Sequence, residues 1–183
     1  MIMFEKVSFD KYAEGCVMAF GEYRLNSNLI REKIVKSDKN IAIPERKTVQ
    51  SAGYDFIWQF ENTSFPSGES LVIPTGIKVR MDGVHAGTFL GILPRSSVGF
   101  KYKVMLANTM GIIDADYYNN EQNEGHIFIK LINDGNKEFL LETGKGYAQG
   151  IFIPYLTTDN DSASGERKGG IGSTDEKKLK NIC

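Results

Sequence analysis

From about residue 69 onward the chain is written in short alternating runs. In Ile77-Lys78-Val79-Arg80-Met81-Asp82 apolar and charged residues take turns, which gives a strand one buried and one wet face. Asp82-Gly83 then supplies a hairpin-type turn signal. Ala86 to Leu93 reads as an apolar strand stopped by Pro94, and further strands are predicted at Val104–Ala107, His126–Ile132, Lys137–Leu141 and Tyr147–Leu156. Turn residues recur between them about every 8–12 positions, the signature of an all-β antiparallel sandwich or barrel. Residues 1–45 differ: charge is mixed, and a weak helical pattern predicts a helix around Leu25–Val35. From Thr157 the chain turns rich in Asp, Ser, Gly and Lys, with too few apolar residues (Ile171, Leu179) to seed a core. Left alone, such a tail should be disordered.

A chain of 183 residues suits one substantial core. With 22 Lys plus Arg against 23 Asp plus Glu, no global basic field points to nucleic acid or an anionic membrane as partner. Anion binding must therefore come from a few focused residues. The N-terminus meets Glu5 and Lys6 at once, unlike a secretory signal, and no apolar run approaches a bilayer span. Two cysteines near opposite ends, Cys16 and Cys183, suggest a reducing cytoplasm rather than a disulfide scaffold. Two histidines and no C-x-x-C pair argue against a zinc site and a zinc nucleobase deaminase. Gly144-Lys145-Gly146 lacks the flanking residues of a phosphate loop.

Four segments carry chemistry. In Pro94-Arg95-Ser96-Ser97-Val98-Gly99 a strand end delivers a guanidinium fork and two hydroxyls to one turn, a combination suited to phosphate oxygens. Asn108 to Tyr117 reads as a hairpin that could present main-chain groups to a flat base, with Asp114 following the buried-looking Ile112 and Ile113. A carboxylate there would be costly without a task, whereas Asp116 reads equally as a turn cap. Gln149 opens a strand within Gly146–Gly150, and Arg167 to Thr174 is a glycine-rich stretch with Arg, Ser and Thr. Glycine permits close backbone approach to a ligand. Each segment alone also suits a solvated turn, a strand aromatic or a linker.

Their order and spacing are more telling. Ser51–Phe56, Pro94–Gly99, Gly111–Tyr117, Gly146–Gly150 and Gly169–Thr174 together resemble the five motifs of the trimeric dUTPase family. The resemblance spans about residues 44–175. It implies a jelly-roll-like antiparallel β-barrel or sandwich over residues 1–156, with 1–45 an extended N-terminal segment, and a flexible C-terminal arm over 157–183. It also implies a homotrimer with active sites at subunit boundaries, and hydrolysis of dUTP to dUMP and pyrophosphate with Mg²⁺ held mainly by the triphosphate.

By the family pattern Asp114 activates the attacking water, and Arg95, Ser96, Ser97 and Gln149 hold phosphate oxygens. Asn108 and the main chain of Gly111 to Ile113 read uracil, and the Tyr117 ring lies against the deoxyribose. Arg167 takes the terminal phosphate, while Gly170, Ile171, Gly172, Ser173 and Thr174 close over the nucleotide. The chain departs from the pattern in places. Ile171 stands where a ring is usual, and Asp175 where glycine is usual. Arg167 lies two residues before Gly169, with Glu166 at the commoner position. Tyr118–Gly125 is longer than the usual turn, and residues 1–45 exceed the common N-terminus. Two other readings share the resemblance: a dUTPase-like regulatory or binding protein, and a dCTP deaminase. The second fails on Lys130, which stands where the deaminase glutamate would be.

Overall fold

In the computed structural model, residues 1–20, 27–85, 87–165, 167 and 169 are described, without the side chains of residues 27–31 and 84. The predicted alternation at Ile77–Met81 holds: Ile77, Val79 and Met81 are buried while Lys78 and Arg80 are half-buried. That strand is β5. Preceding it are β1 (Ile2–Lys6), α1 (Phe9–Phe20), α2 (Ser27–Asn40), β2 (Tyr54–Ile57), β3 (Thr63–Phe65) and β4 (Ser70–Pro74). After it come β6 (Thr88–Pro94), α3 (Ser96–Tyr102), β7 (Val104–Leu106) and β8 (Gly111–Ile113). The last strands are β9 (Phe128–Asn133), β10 (Phe139–Leu141) and β11 (Gly146–Pro154).

Every strand pairing is antiparallel. One sheet runs β2-β11-β6-β8 and another β4-β9-β7, with two-stranded β1-β5 and β10-β3 beside them. The all-β class is as expected, but these sheets do not close into a barrel. Nor do the predicted hairpins form. The Asp82-Gly83 turn leads from β5 to β6, which belong to different sheets, and Leu106–Gly111 likewise crosses from the β9 sheet to the β6 sheet. Turn chemistry marks a reversal of the chain, but pairing is decided by which apolar faces meet.

The helical reading was incomplete. The helix expected around Leu25–Val35 is α2, which begins at Ser27 and runs on to Asn40; Leu25 lies outside the described residues. A second helix, α1, was not foreseen. It buries Tyr12, Gly15 and Cys16, the i, i+3, i+4 positions of one stripe. Ser8 heads it, its hydroxyl accepting the Lys11 amide at 3.3 Å, as an N-cap does. The stripe holds only one large side chain, so the signal was faint.

α1 is sewn to the core by polar contacts as well as apolar ones. The buried Tyr12 hydroxyl donates to Ser37 Oγ at 2.7 Å, which donates on to the Ile34 carbonyl at 3.0 Å. Phe4, Val7, Tyr12, Cys16, Ile34 and Ile41 join one core with Phe56, Trp58, Ile77, Leu90 and Ile92. Burial pushes the Cys16 thiol up to about 12, so it packs as a small apolar group.

His126 is fully buried under α1. Its Nε2 accepts the Gly76 amide at 2.8 Å. A methyl group at Gly15 would sit 2.6 Å from the ring, so glycine is what lets the helix approach. Desolvation holds this imidazole down to about 4 from an ordinary 6.5. Between those values the unfolded chain binds the extra proton and the folded one does not, so stability falls as pH drops from 6.5 toward 4. His126→Gln should flatten that slope. Thermal unfolding of both proteins from pH 7 to 4.5 measures it, and equal slopes would contradict the assignment.

Candidate active site

Three strands bring three of the sequence motifs into lateral register. Gln149 of β11 lies opposite Asp55 of β2 on one side and Leu93 of β6 on the other. Two residues past Leu93, Arg95 turns back across them. Its Nε lies 3.2 Å from Asp55 Oδ1, and its Nη1 donates to the Gly146 carbonyl at 3.2 Å. Gln149 Nε2 donates to the Pro94 carbonyl at 3.2 Å. A methyl group at Gly53 would fall 2.3 Å from Gln149 Oε1, which ties the first motif to the fourth. Arg95 is the residue before α3, whose first turn carries Ser96 and Ser97, both exposed. Their amides stand in the turn that has no intrahelical acceptor. The segment read as a turn is thus a strand end feeding a short helix.

Asp55 was not singled out by the sequence reading. The signal was present: one carboxylate in the otherwise apolar run Tyr54-Asp55-Phe56-Ile57, nearly buried here with Arg95 as its counter-charge.

The second cluster forms around the turn that follows β8. Asp114 begins the 3₁₀ turn Ala115–Tyr117, and no capping bond occupies its side chain. Arg167 bridges the two carboxylates, Nη2 to Asp114 Oδ2 at 2.7 Å and Nε to Asp116 Oδ1 at 3.0 Å. Its guanidinium carbon sits 5.5 Å from the Tyr117 ring centre, within cation–π range. Burial raises the Tyr117 phenol, with Asn123 and Arg167 pulling the other way. One expectation is corrected. Ile112 is 57% exposed and Asp114 carries a half-exposed side chain, because β8 is a three-residue edge strand and not a buried one. Asp114 is therefore not a carboxylate forced into an apolar site.

The edge position of β8 gives the base-reading expectation a physical footing. One side of its backbone pairs with β6, so alternate N–H and C=O groups face away from the sheet. Asn108 and Thr109 are exposed in the turn before it, Thr109 at φ 66°. Gly170, Ile171, Gly172, Ser173 and Thr174 lie outside the described residues.

The two clusters do not meet within one chain. Ile113 pairs with Leu90, so Asp114 stands near Phe89 at the start of β6. Arg95 follows the other end. Six strand residues at about 3.3 Å each separate them by roughly 20 Å. A cavity of about 930 Å³ opens elsewhere, between the N-terminal helices and the Trp58–Thr63 segment, and contains none of the predicted site residues.

An antiparallel β architecture with carboxylates, guanidinium groups and an open strand edge defines a class, a β-sheet protein equipped for anionic ligands. Comparison with known proteins narrows it. The dUTPase family model matches residues 39–175. The deoxyuridine 5'-triphosphate nucleotidohydrolase of Lactococcus lactis is 44% identical over 146 residues, 78% of this chain and 95% of that protein. Its counterpart in Blochmanniella floridana is 37% identical over 130 residues, covering 70% and 81%. The crystal structure of a dUTPase from Streptococcus mutans superimposes with a TM-score of 0.56 at 40% identity, over 67% of this chain and 91% of that one. The chain belongs to the dUTPase family and is a nucleotide hydrolase.

Asp55→Asn should loosen Arg95 without removing it. On the expectation that Arg95 holds phosphate, kcat/KM for dUTP should fall at least about tenfold, since misplacing such a group by about an ångström can cost up to 10²-fold. Steady-state kinetics check this, and a value within twofold of wild type would leave Asp55 with a packing role only.

Proposed function

We propose that the chain hydrolyses dUTP to dUMP and pyrophosphate at a site shared between subunits of a homotrimer. The observation that carries the shared site is the separation of Asp114 from Arg95 along β6, too wide for one triphosphate chain to bring a base and its phosphate ligands together in a single subunit. One subunit would supply Asp55, Arg95, Ser96, Ser97 and Gln149; a neighbour would supply Asn108, Gly111 to Ile113, Asp114 and Tyr117.

Uracil would pair with the open edge of β8, where Asn108 and main-chain groups read its polar edge. Cytosine would leave such groups mispaired, at about 1–3 kcal/mol each. The Tyr117 ring would lie against the deoxyribose and exclude a 2′-hydroxyl. Asp114 would take a proton from a water as that oxygen attacks the α-phosphorus in line; the bond from the α-phosphorus to the bridging oxygen breaks and pyrophosphate leaves. Arg95 and the α3 amides meet the developing charge with groups already in place.

Mg²⁺ would neutralise the triphosphate when bound. It would be held mainly by the triphosphate oxygens, the hard donors that cation accepts. Arg167 now holds Asp114 and Asp116; the same planar fork suits a terminal phosphate. Exchanging carboxylates for phosphate would free Asp114 as base and let the Gly169–Thr174 segment cover the nucleotide. No helix among the described residues is long and apolar enough to cross a membrane, and a nucleotide-pool hydrolase of this kind would work in the cytoplasm.

Asp114→Asn is nearly isosteric and cannot accept the proton. Its kcat for dUTP should drop by at least about 10²-fold, while affinity for a non-hydrolysable dUTP analogue stays close to wild type. Turnover within threefold of wild type, measured as pyrophosphate release, would remove Asp114 from the role of base.

A further inference from the structure

Among the departures from the family pattern are two segments: residues 1–38, which precede the matched region, and the long loop Tyr118–Gly125. They meet in the structure. Ser8, at the head of α1, donates its amide to Glu124 Oε2 at 3.0 Å and its hydroxyl to Oε1 at 2.7 Å. These two bonds hold the Glu124 carboxyl below its ordinary range. Lys78 reaches Asn119 Oδ1 at 2.8 Å and Glu124 Oε2 at 3.4 Å, and the Tyr118 hydroxyl lies 3.0 and 3.1 Å from the carboxylate oxygens of Glu5. The loop is thus moored to β1, α1 and β5.

Its inner side closes on Tyr117. Asn123 Nδ2 donates to the Tyr117 hydroxyl at 2.7 Å, and that hydroxyl donates to the His126 carbonyl at 3.0 Å. The Asn123 amide can face only one way. Its Oδ1 accepts from the Gly125 amide at 3.0 Å and from Asn120 Nδ2 at 2.7 Å, and an N–H can only donate. Asn120 also donates to the Tyr117 carbonyl at 2.9 Å. Gly125 makes the return possible: it sits at φ +80°, and a methyl group there would fall 2.6 Å from the Tyr117 carbonyl oxygen. His126, whose carbonyl takes the phenol proton, is the residue pinned beneath Gly15 of α1.

We infer that Asn123 is a positioning residue for sugar selection, and that the N-terminal segment acts on selectivity by holding the loop that carries it. The inference rests on the proposed placement of the deoxyribose against Tyr117. A phenol held from two sides is fixed against the small displacement that would admit a 2′-hydroxyl; without those bonds only packing holds the buried ring. Rejecting a sugar that differs by one oxygen is a matter of such placement.

The test is kcat/KM for UTP and dUTP, measured on full-length Asn123→Ala, Glu124→Gln, Tyr117→Phe, Tyr117→Ala and the Asn123→Ala/Tyr117→Phe double variant. Losing one net hydrogen bond corresponds to about two- to tenfold, and Asn123→Ala should raise the UTP to dUTP ratio by that factor. Tyr117→Phe, which keeps the ring and deletes the hydroxyl, should do the same, and the double variant should gain no more than either single change. Glu124→Gln, one contact further out, should move the ratio in the same direction by less. An unchanged ratio in Asn123→Ala beside a raised one in Tyr117→Ala would overturn the inference and leave the sugar placement intact. An unchanged ratio in Tyr117→Ala would remove the sugar from that ring and overturn both. Equal losses on UTP and dUTP in Asn123→Ala, with a lowered Tm, would mean the loop only folds the site, and would also overturn it.

Discussion

The register of β6 constrains everything else in this molecule. Hydrogen-bonded to β11 along its whole length and to β8 over Leu90–Ile92, it is a rigid ruler with a carboxylate near one end and a guanidinium beyond the other. Side chains cannot bridge roughly 20 Å of strand, and a strand paired on both sides cannot shorten. The proposed chemistry would therefore be divided between chains by backbone geometry, before any side chain is considered. Each half is organised in advance. Arg95 is held by Asp55 and the Gly146 carbonyl, and Asp114 stands in a turn whose other members are fixed by the Tyr117 contacts. Preplacement of this kind is what lets donors stabilise a transition state without reorganising.

Residues 1–45 belong to the same economy. β1 completes a pair with β5, and the helices put Tyr12, Cys16 and Ile34 into the common core. The segment also reaches the proposed sugar-binding ring by two routes, Ser8 through Glu124 and Gly15 through His126. Residues that precede the family match are thereby in contact, through the Tyr118–Gly125 loop, with a residue of the proposed site.

Strands were legible where side chains alternate over five or more residues, as at Ile77–Met81, because one buried face dictates the pattern. The third motif was legible in order and spacing, but its environment was not. Ile112 reads as core and lies exposed, since a three-residue edge strand buries little. α1 escaped notice because its buried stripe uses Gly15 and Cys16, small residues that carry almost no hydrophobic signal. Arg95 was legible as a phosphate-type guanidinium and Asp55 stood as a lone charge in an apolar strand, but their pairing across forty residues leaves no local signal. The Arg167 bridge to Asp114 and Asp116 spans about fifty residues, and no local pattern announces a contact that only tertiary folding creates. The same is true of the mooring of the Tyr118–Gly125 loop on Ser8.

The shared site is tested most directly by complementation between two disabled chains. Arg95→Ala would lack the proposed phosphate ligand and Asp114→Asn the proposed base. Each alone should be nearly inactive. Unfolded together in equal amounts and refolded, they should assemble at random, and about one site in four would then draw Arg95 from one subunit and Asp114 from its neighbour. With mass spectrometry confirming mixed assemblies, dUTP hydrolysis at about a quarter of the wild-type rate is the predicted result. Mixed assemblies no more active than the sum of the two variants would show that both residues must come from the same chain, and would contradict the account.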